Sequence, residues 1–192
     1  MNEKIERFEQ LLQSVSREGI DKLLTFIQKS DFYTAPASTR FHGAKEGGLL
    51  EHSLNVFDCL MAKKSNPVWN GFLSEISDES FILSALLHDL CKTYYYTIEM
   101  RNKKDESGKW VQVPFYTVDD KIPYGHGEKS VMMIEEYIRL LPVERYAIRW
   151  HMGAYSSQQD WNVLGNAMDK YPFVLALHEA DMEAIHLMEK ED

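Results

Sequence analysis

Apolar residues recur at intervals of three and four along most of this chain, the spacing that places them on one face of an α-helix. The first two such segments predict amphipathic scaffold helices within residues 1–30, separated by Glu18 and Gly19. Later segments predict helices over about Leu49–Met61, Asp78–Cys91, Val131–Leu141, Val143–Met152 and Pro172–Glu189. We therefore expect a mainly α protein in which helices share one core.

One stretch departs from the helical period. Residues Tyr94–Met100 and Trp110–Val118 are rich in aromatic and β-branched side chains, and the polar segment Asn102–Gly108 lies between them. This pattern predicts a β-hairpin over residues 94–118, inserted in the α fold. Its aromatic side chains would either stack on the bases of a substrate or pack between paired strands, and the sequence leaves both uses open.

Length and charge narrow the classes of function. The chain has 192 residues, enough to bury a core without disulfides, and no repeat or linker divides it, so we expect one domain over residues 1–192. It carries 30 Asp and Glu against 21 Lys and Arg, a formal net charge of −9. Such a surface repels polyanions, which disfavours strong binding of duplex nucleic acid and favours a small substrate over a long polymer.

The cysteines and the apolar runs bear on the compartment. Cys59 and Cys91 each lie in an apolar helical segment, which is typical of reduced core thiols and excludes a disulfide scaffold or a cysteine-based zinc finger. The first residues lack the apolar core of a secretory signal, and no apolar run approaches the roughly 18 residues needed to cross a bilayer. We expect a cytoplasmic protein without a membrane partner.

Polar residues inside apolar helical segments are the first indication of chemistry. His52 falls on the face of Leu49 and Val56, and His88 and Asp89 are neighbours within an otherwise apolar segment. A buried carboxylate costs several kcal/mol unless it is paired, and adjacent helical residues point only about 100° apart. A bound divalent cation would satisfy His88 and Asp89 at once.

Further candidates follow on other predicted elements: His126, His151 and Asp181. Ligands that converge from several helices are how helical bundles build metal centres, and a set of imidazoles and carboxylates suits Mn, Fe, Co, Ni or Zn. A single histidine on an apolar face is, by contrast, more often a core residue. His178, on the same face as Asp181, is either a supporting or a functional residue, and His186 is expected at the surface.

The order of these residues resembles the HD-domain phosphohydrolase superfamily, whose pattern is a His, a His-Asp doublet, further histidines and a late Asp. The segment Gly47–Ser53 is similar to the helix opening of the branch that includes certain exoribonucleases, and Leu86–Lys92 is similar to the doublet helix with its downstream lysine. The resemblance covers about residues 40 to 186. It implies a helical HD-domain bundle, here with an inserted β-hairpin.

The resemblance also implies a set of metal ligands. One cation would be held by His52, His88, Asp89 and Asp181, and a second by His126 and His151, with Asp89 bridging. Related two-metal enzymes often have a His-His pair where this chain has Trp150-His151, and Cys91 stands where glycine is usual. We expect one or two divalent ions, Mn or Fe first, with Ni, Co, Zn or Mg as alternatives.

A metal of this kind predicts the chemistry. The bound cation would make a coordinated water nucleophilic near neutral pH, with Asp89 as the central carboxylate, and Lys92 would neutralise charge that develops on phosphate. We expect Lys92 on the same helical side as His88, four residues before it. The further candidates for substrate binding are His42, Lys45, Arg40 and Arg149.

Three functions are compatible with these residues. The first is a metal-dependent phosphohydrolase that cleaves a phosphoester of a nucleotide or a related small molecule. The second is a 3′-to-5′ nuclease on short single strands, for which substrate binding would depend strongly on salt. The third is a metal- and nucleotide-binding regulatory module without turnover. The oligomeric state is left open, and the hairpin, which joins the doublet helix to His126, is placed to wall the mouth of the site.

Overall fold

The computed structural model describes residues 1–190; Glu191 and Asp192, the end of the predicted 1–192 domain, lie outside them. Its helices are α1 (Asn2–Gln13), α2 (Ile20–Lys29), α3 (Gly48–Ala62), α4 (Pro67–Leu73), α5 (Asp78–Leu87), α6 (His126–Glu135), α7 (Pro142–Trp150), α8 (Trp161–Lys170) and α9 (Phe173–Glu183). Its strands are β1 (Tyr96–Lys104) and β2 (Trp110–Val118). The mainly α fold with one inserted antiparallel hairpin is confirmed.

The core lies between α3, α5, α7 and α9. Helix α3 packs against both α5 and α9, and α7 packs against α6 and α9. Every residue of α5 from Ser80 to Leu87 is buried, since its apolar side chains surround the helix rather than form one stripe. Because α3, α5, α7 and α9 meet in the centre, polar residues near the ends of these helices are brought together.

Two short helices do not follow from the apolar period. Helix α4 begins at Pro67, where the sequence indicates only a break, because the Asn66 side chain accepts a hydrogen bond from the Val68 amide at 3.0 Å and proline is favourable in a first turn. Helix α8 covers a second hydrophobic cluster formed by Trp150, Leu164, Ala167 and Val174.

Several boundaries also differ from the expected ones. Helix α6 begins at His126 and ends at Glu135, earlier than the predicted 131–141, although Ile138 beyond it is still buried. The last helix changes at Ala184 into a π-helical turn that runs to Met188. Apolar spacing reports which residues are buried, and it does not locate the residue at which the hydrogen-bond pattern changes.

The first strand of the hairpin starts later than predicted and runs further, to Lys104 instead of Met100. Tyr94 has a left-handed backbone (φ 54°), which ends the pairing before it, so β1 begins at Tyr96 instead of Tyr94. The two strands then pair as far as Lys104 and Trp110, and Gly108 (φ 82°) closes the turn. Tyr96 pairs with Val118 at the base of the hairpin, next to the helical body.

Among residues 1–190, no helix is long and apolar enough to span a bilayer.

Candidate metal centre

Six residues predicted as metal ligands lie close together, and all of them except the fully buried His88 line a cavity of about 550 Å³. They come from α3, the ends of α5 and α7, the start of α6, and α9: His52, His88, Asp89, His126, His151 and Asp181. All except His126 are at most 3% exposed. Five structural elements therefore contribute to one buried group of imidazoles and carboxylates.

The ends of α5 and α7 orient two of the histidines in the same way. The Nδ1 of His88 lies 2.8 Å from the Ala85 carbonyl, and the Nδ1 of His151 lies 2.7 Å from the Ile148 carbonyl. A carbonyl oxygen only accepts, so Nδ1 carries the proton in both rings and Nε2 is left as a lone pair. Both Nε2 atoms lie beside the Asp89 carboxylate, within the cluster.

His52 is oriented by a carboxylate that the sequence did not single out. Its Nδ1 lies 3.0 Å from Glu189 Oε1, and the Asn55 amide donates to the same oxygen at 2.9 Å. Histidines that bind metal generally donate their other N–H to a carboxylate or carbonyl in this manner. No local pattern marks Glu189, which follows the π-helical turn and reaches His52 because α3 packs against that turn.

The inward atoms of the cluster fit a bound cation. His52 Nε2 lies 3.3 Å from His88 Nε2 and 3.2 Å from Asp181 Oδ1. That Asp181 oxygen is buried and has no hydrogen-bond partner among the described residues. Lone pairs held this close repel one another unless a proton or a metal ion lies between them, and a divalent ion accepts imidazole nitrogen and carboxylate oxygen together.

Asp89 lies in the middle of the cluster. Its Oδ2 is 3.5 Å from His88 Nε2 and 3.7 Å from His52 Nε2, whereas its Oδ1 is 2.7 Å from His126 Nε2 and 3.6 Å from His151 Nε2. The two oxygens of one carboxylate thus face two different pairs of histidines. The role of Asp89 as a bridge between two cations stays a prediction.

Asp89 and Lys92 are not placed as a continuous helix would place them. Helix α5 ends at Leu87, Asp89 leaves the helical region (φ −105°, ψ 20°), and residues 90–92 form a tighter turn. Lys92 faces Asp89, with Nζ 2.5 Å from Oδ2, and it thus approaches the same carboxylate oxygen as His88 Nε2 (3.5 Å) although no continuous helix joins the two residues. Both Asp89 and Lys92 line the cavity.

The charges in the cluster depend on one another. Burial lowers the pKa of His52 and of His126. The adjacent carboxylates, chiefly Asp181 for His52 and Asp89 for His126, more than offset burial and raise the pKa of each histidine to about 9. Burial favours a neutral Asp89, yet Lys92 and the histidines hold its pKa well below the usual range. Burial likewise disfavours the Lys92 ammonium, and Asp89 more than offsets this and raises its pKa. The carboxylates are therefore ionised and attract cations.

The four candidates for substrate binding fall into two groups. His42 lines the cavity, its ring 5.0 Å from that of His52, and its Nε2 has no hydrogen-bond partner within residues 1–190. Arg40, Lys45 and Arg149 are not in the lining that the described residues form. Lys45 lies 3.4 Å from Glu51. The other two guanidinium groups lie over aromatic rings, Arg40 over Phe41 and Arg149 over Trp150.

The structure adds two residues that the sequence left undecided or assigned to packing. His178 donates from Nδ1 to the His151 carbonyl at 2.7 Å, so it supports the end of α7. The Cys91 thiol lies 3.3 Å from His126 Nδ1. His186 is exposed, as expected, at the edge of the cavity.

Gly127 sets the distance between α6 and α7, and therefore between His126 and His151. A Cβ at Gly127 would lie 2.3 Å from the Arg149 carbonyl oxygen. We predict that Gly127→Ala moves the two helices apart, destabilises the protein by about 1–3 kcal/mol and weakens metal binding.

Denaturant unfolding and metal titration would test this prediction. Gly165→Ala in α8 is the matched control, because the added Cβ would have no neighbour within 4 Å in the described chain beyond the adjacent residues and backbone of its own helix, and alanine favours a helix by up to about 1 kcal/mol. Wild-type stability and metal affinity in Gly127→Ala would contradict the proposed role of this contact.

Fold and site together define a mainly helical protein with a buried His/Asp cluster that is suited to a metal ion. A curated protein of Methanocaldococcus jannaschii, dihydroneopterin 2′,3′-cyclic phosphate phosphodiesterase, is 28% identical to this chain over 110 residues. The match covers 57% of this chain and 38% of that protein. No protein-family model and no solved structure matches the chain. The similarity supports a phosphohydrolase at a coarse level, and the HD-type assignment stays a prediction.

Proposed function

We propose that this protein is an HD-type, metal-dependent phosphohydrolase that cleaves a phosphoester of a nucleotide or a related small molecule. The observation that carries the proposal is the convergence of three oriented histidine nitrogens and two carboxylates beside an open cavity that Lys92 also lines. The phosphodiesterase activity named for the distant relative supports the same class of reaction.

The proposed ligands fall into the two groups that the Asp89 oxygens define. His52, His88, Asp89 and Asp181 would hold one divalent ion, and His126 and His151 would share Asp89 with a second. A divalent ion supplies Lewis acidity, which makes water nucleophilic near neutral pH and polarises phosphoryl oxygens. The donor set of imidazole and carboxylate favours Mn or Fe, and Ni, Co, Zn or Mg are alternatives.

The chain's own residues then bind and orient the substrate. Lys92 is charged, nearly buried and in the cavity lining, so its ammonium would pair with a phosphoryl oxygen and oppose the charge that grows there during attack. In the reaction a water oxygen bonds to phosphorus, one phosphorus–oxygen ester bond breaks, and the departing oxygen gains a proton. His42, with its unpaired Nε2, is placed to donate to or accept from the same substrate group.

The upper walls of the cavity point to a substrate with a ring. Tyr96 and Val118 form one wall at the base of the hairpin, and the rim carries two exposed aromatic side chains, Phe41 (72% exposed) and Tyr155 (69% exposed). Exposed aromatic faces next to a phosphate site suit a planar ring, and base–aromatic stacking is worth about 1–3 kcal/mol. The relative is named for the 2′,3′-cyclic phosphate of dihydroneopterin.

Phosphate-ester hydrolysis should be measured on a panel with metal-free and Mn²⁺-loaded protein. The panel comprises mononucleotides, nucleoside 2′,3′-cyclic phosphates, a cyclic phosphate without an aromatic ring and short single-stranded oligonucleotides. We expect metal-dependent turnover of small esters that carry an aromatic ring. Preference for oligonucleotides with strong salt dependence would favour the nuclease, and nucleotide binding without turnover would favour the regulatory module.

Phe41→Ala tests whether an aromatic ring of the substrate stacks on the Phe41 side chain. Loss of one stacking contact of about 1 kcal/mol should raise KM about fivefold for esters that carry an aromatic ring. It should change little in kcat, or in the KM of the ester without an aromatic ring. Phe72→Ala is the control, because Phe72 is similarly exposed (59%) and lies on α4 outside the cavity lining. Equal effects of Phe41→Ala on both substrates would contradict stacking at this rim.

A further inference from the structure

Cys91 lies on the Oδ1 side of Asp89, next to His126. Its Sγ is 3.3 Å from His126 Nδ1 and 4.0 Å from His126 Nε2, while that Nε2 is 2.7 Å from Asp89 Oδ1. One donor atom each from Asp89, Cys91 and His126 lies within 4.8 Å of the others. An oxygen, a sulfur and a nitrogen donor atom thus lie near enough to one another to share one cation.

The backbone holds this thiol in place. The turn over residues 90–92 brings the Cys91 side chain beneath α6, and the Cys91 amide donates to Ser130 Oγ at 3.1 Å. Ser130 belongs to the same helix that begins with His126. Cys91 and His126 therefore keep their separation through a direct contact between their two elements, and Cys91 is only 2% exposed.

From this juxtaposition we propose that Cys91 is a metal ligand: its thiolate, with Asp89 and His126, binds the cation on the Oδ1 side of the cluster. Metal–sulfur and metal–nitrogen bonds of about 2.3 and 2.0–2.1 Å in a tetrahedral site place sulfur and nitrogen about 3.6 Å apart. The observed 3.3 and 4.0 Å to the two ring nitrogens bracket that separation. On binding, the thiol proton is released to solvent.

A sulfur ligand makes the two sides of Asp89 chemically different. The His52–His88–Asp181 side offers nitrogen and oxygen, which many divalent metals accept. The Cys91 side adds a soft donor, which favours Zn²⁺, Co²⁺ or Fe²⁺ and disfavours Mg²⁺. The inference rests on the two-cation site of the proposed function, but it does not depend on turnover.

Co²⁺ titration of the metal-free protein, without any phosphoester present, tests the ligand directly. Thiolate bound to Co²⁺ gives a ligand-to-metal charge-transfer band in the near ultraviolet, which nitrogen and oxygen ligands do not. We expect the band in the wild type and its loss in Cys91→Ser. Loss of a residue that only supports a metal ligand weakens metal binding about 10–100-fold. The Co²⁺ ion on the Oδ1 side of Asp89 should therefore bind at least about tenfold more weakly in Cys91→Ser.

Cys59→Ser is the matched control. Burial and the Glu183 carboxylate raise the pKa of the Cys59 thiol to about 11, so it stays protonated, and its Sγ contacts Met188 rather than the cluster. The control should keep the band. If Cys91→Ser does not fold, X-ray absorption can be measured on Zn²⁺-loaded Cys59→Ser protein, in which Cys91 is unchanged. We then expect a sulfur atom at about 2.3 Å from the bound Zn²⁺.

The outcomes separate this inference from the proposed function. Co²⁺ or Zn²⁺ bound without a sulfur signature, or a band that survives Cys91→Ser, would overturn the ligand assignment even if phosphoesters are hydrolysed. A sulfur signature in a protein that hydrolyses none of the panel would support the Cys91 ligand and refute the phosphohydrolase.

Discussion

Asp89→Asn is expected to reduce metal-dependent phosphoester hydrolysis by at least about 10³-fold, or about 4 kcal/mol of transition-state stabilisation. Asp89 is the one carboxylate in the described chain that contacts both pairs of histidines, and its ionised form balances the Lys92 ammonium. An amide keeps the shape but removes the charge that attracts the cations and holds Lys92 in position. The measurements are kcat/KM, bound metal per chain and the circular dichroism spectrum.

A second aspartate provides a control for the effect of an unpaired lysine. Asp120 neutralises Lys129, which is 4% exposed, at 2.6 Å, and neither residue lines the cavity formed by residues 1–190. Asp120→Asn should therefore lower stability but leave metal content and kcat/KM near the wild-type values. The proposed mechanism fails if Asp89→Asn retains its metal and its turnover, or if Asp120→Asn loses both to the same extent.

Glu144→Ala is expected to lower the free energy of unfolding by about 3–5 kcal/mol, because it removes a buried carboxylate that accepts several hydrogen bonds and leaves Arg17 with only the more distant Glu79, at 3.5 Å. The Glu144 side chain is 0% exposed. It accepts from Arg17 at 2.6 and 2.7 Å, from Ser80 Oγ at 2.7 Å and from the Leu141 amide at 2.7 Å. It thus ties α1–α2 and α5 to the first turn of α7, whose other end carries His151.

The matched variant is Glu135→Ala. Glu135 also pairs with an arginine, Arg145 at 2.6 Å, but both side chains are about one-third exposed. Exposed pairs contribute about 0–1 kcal/mol, so Glu135→Ala should unfold within about 1 kcal/mol of the wild type in urea. Similar losses in the two variants would show that Glu144 is no more than a surface ion pair.

Much of the fold follows from local patterns. The helical period predicts α1, α2, α3 and α5 close to their observed positions, because each buries one face or is wholly apolar. Aromatic and β-branched residues predict the hairpin, although the left-handed backbone of Tyr94 moves the start of its first strand to Tyr96. The sequence does not predict helices α4 and α8, because each has too few apolar residues to show the helical period.

The candidate site was predicted less evenly. The six histidine and aspartate residues come together as the motif order implied. Glu189 was not singled out and Cys91 was assigned to packing, since their partners His52 and His126 lie on other elements. Arg149 is expected near the substrate because it lies two residues before His151, but residues two apart on a helix point about 200° apart, and the Arg149 guanidinium pairs with Glu128.

The sequence by itself determined the fold class, the inserted hairpin and the residue types available for metal and phosphate chemistry, because these depend on spacing within single elements. The tertiary structure decided which ring nitrogen of each histidine is free, that the two oxygens of Asp89 face different histidine pairs, and that Cys91 and Glu189 reach the cluster. These features depend on distances between elements far apart in the chain. Such distances are set by how side chains of different helices pack, which the period of any one helix does not contain.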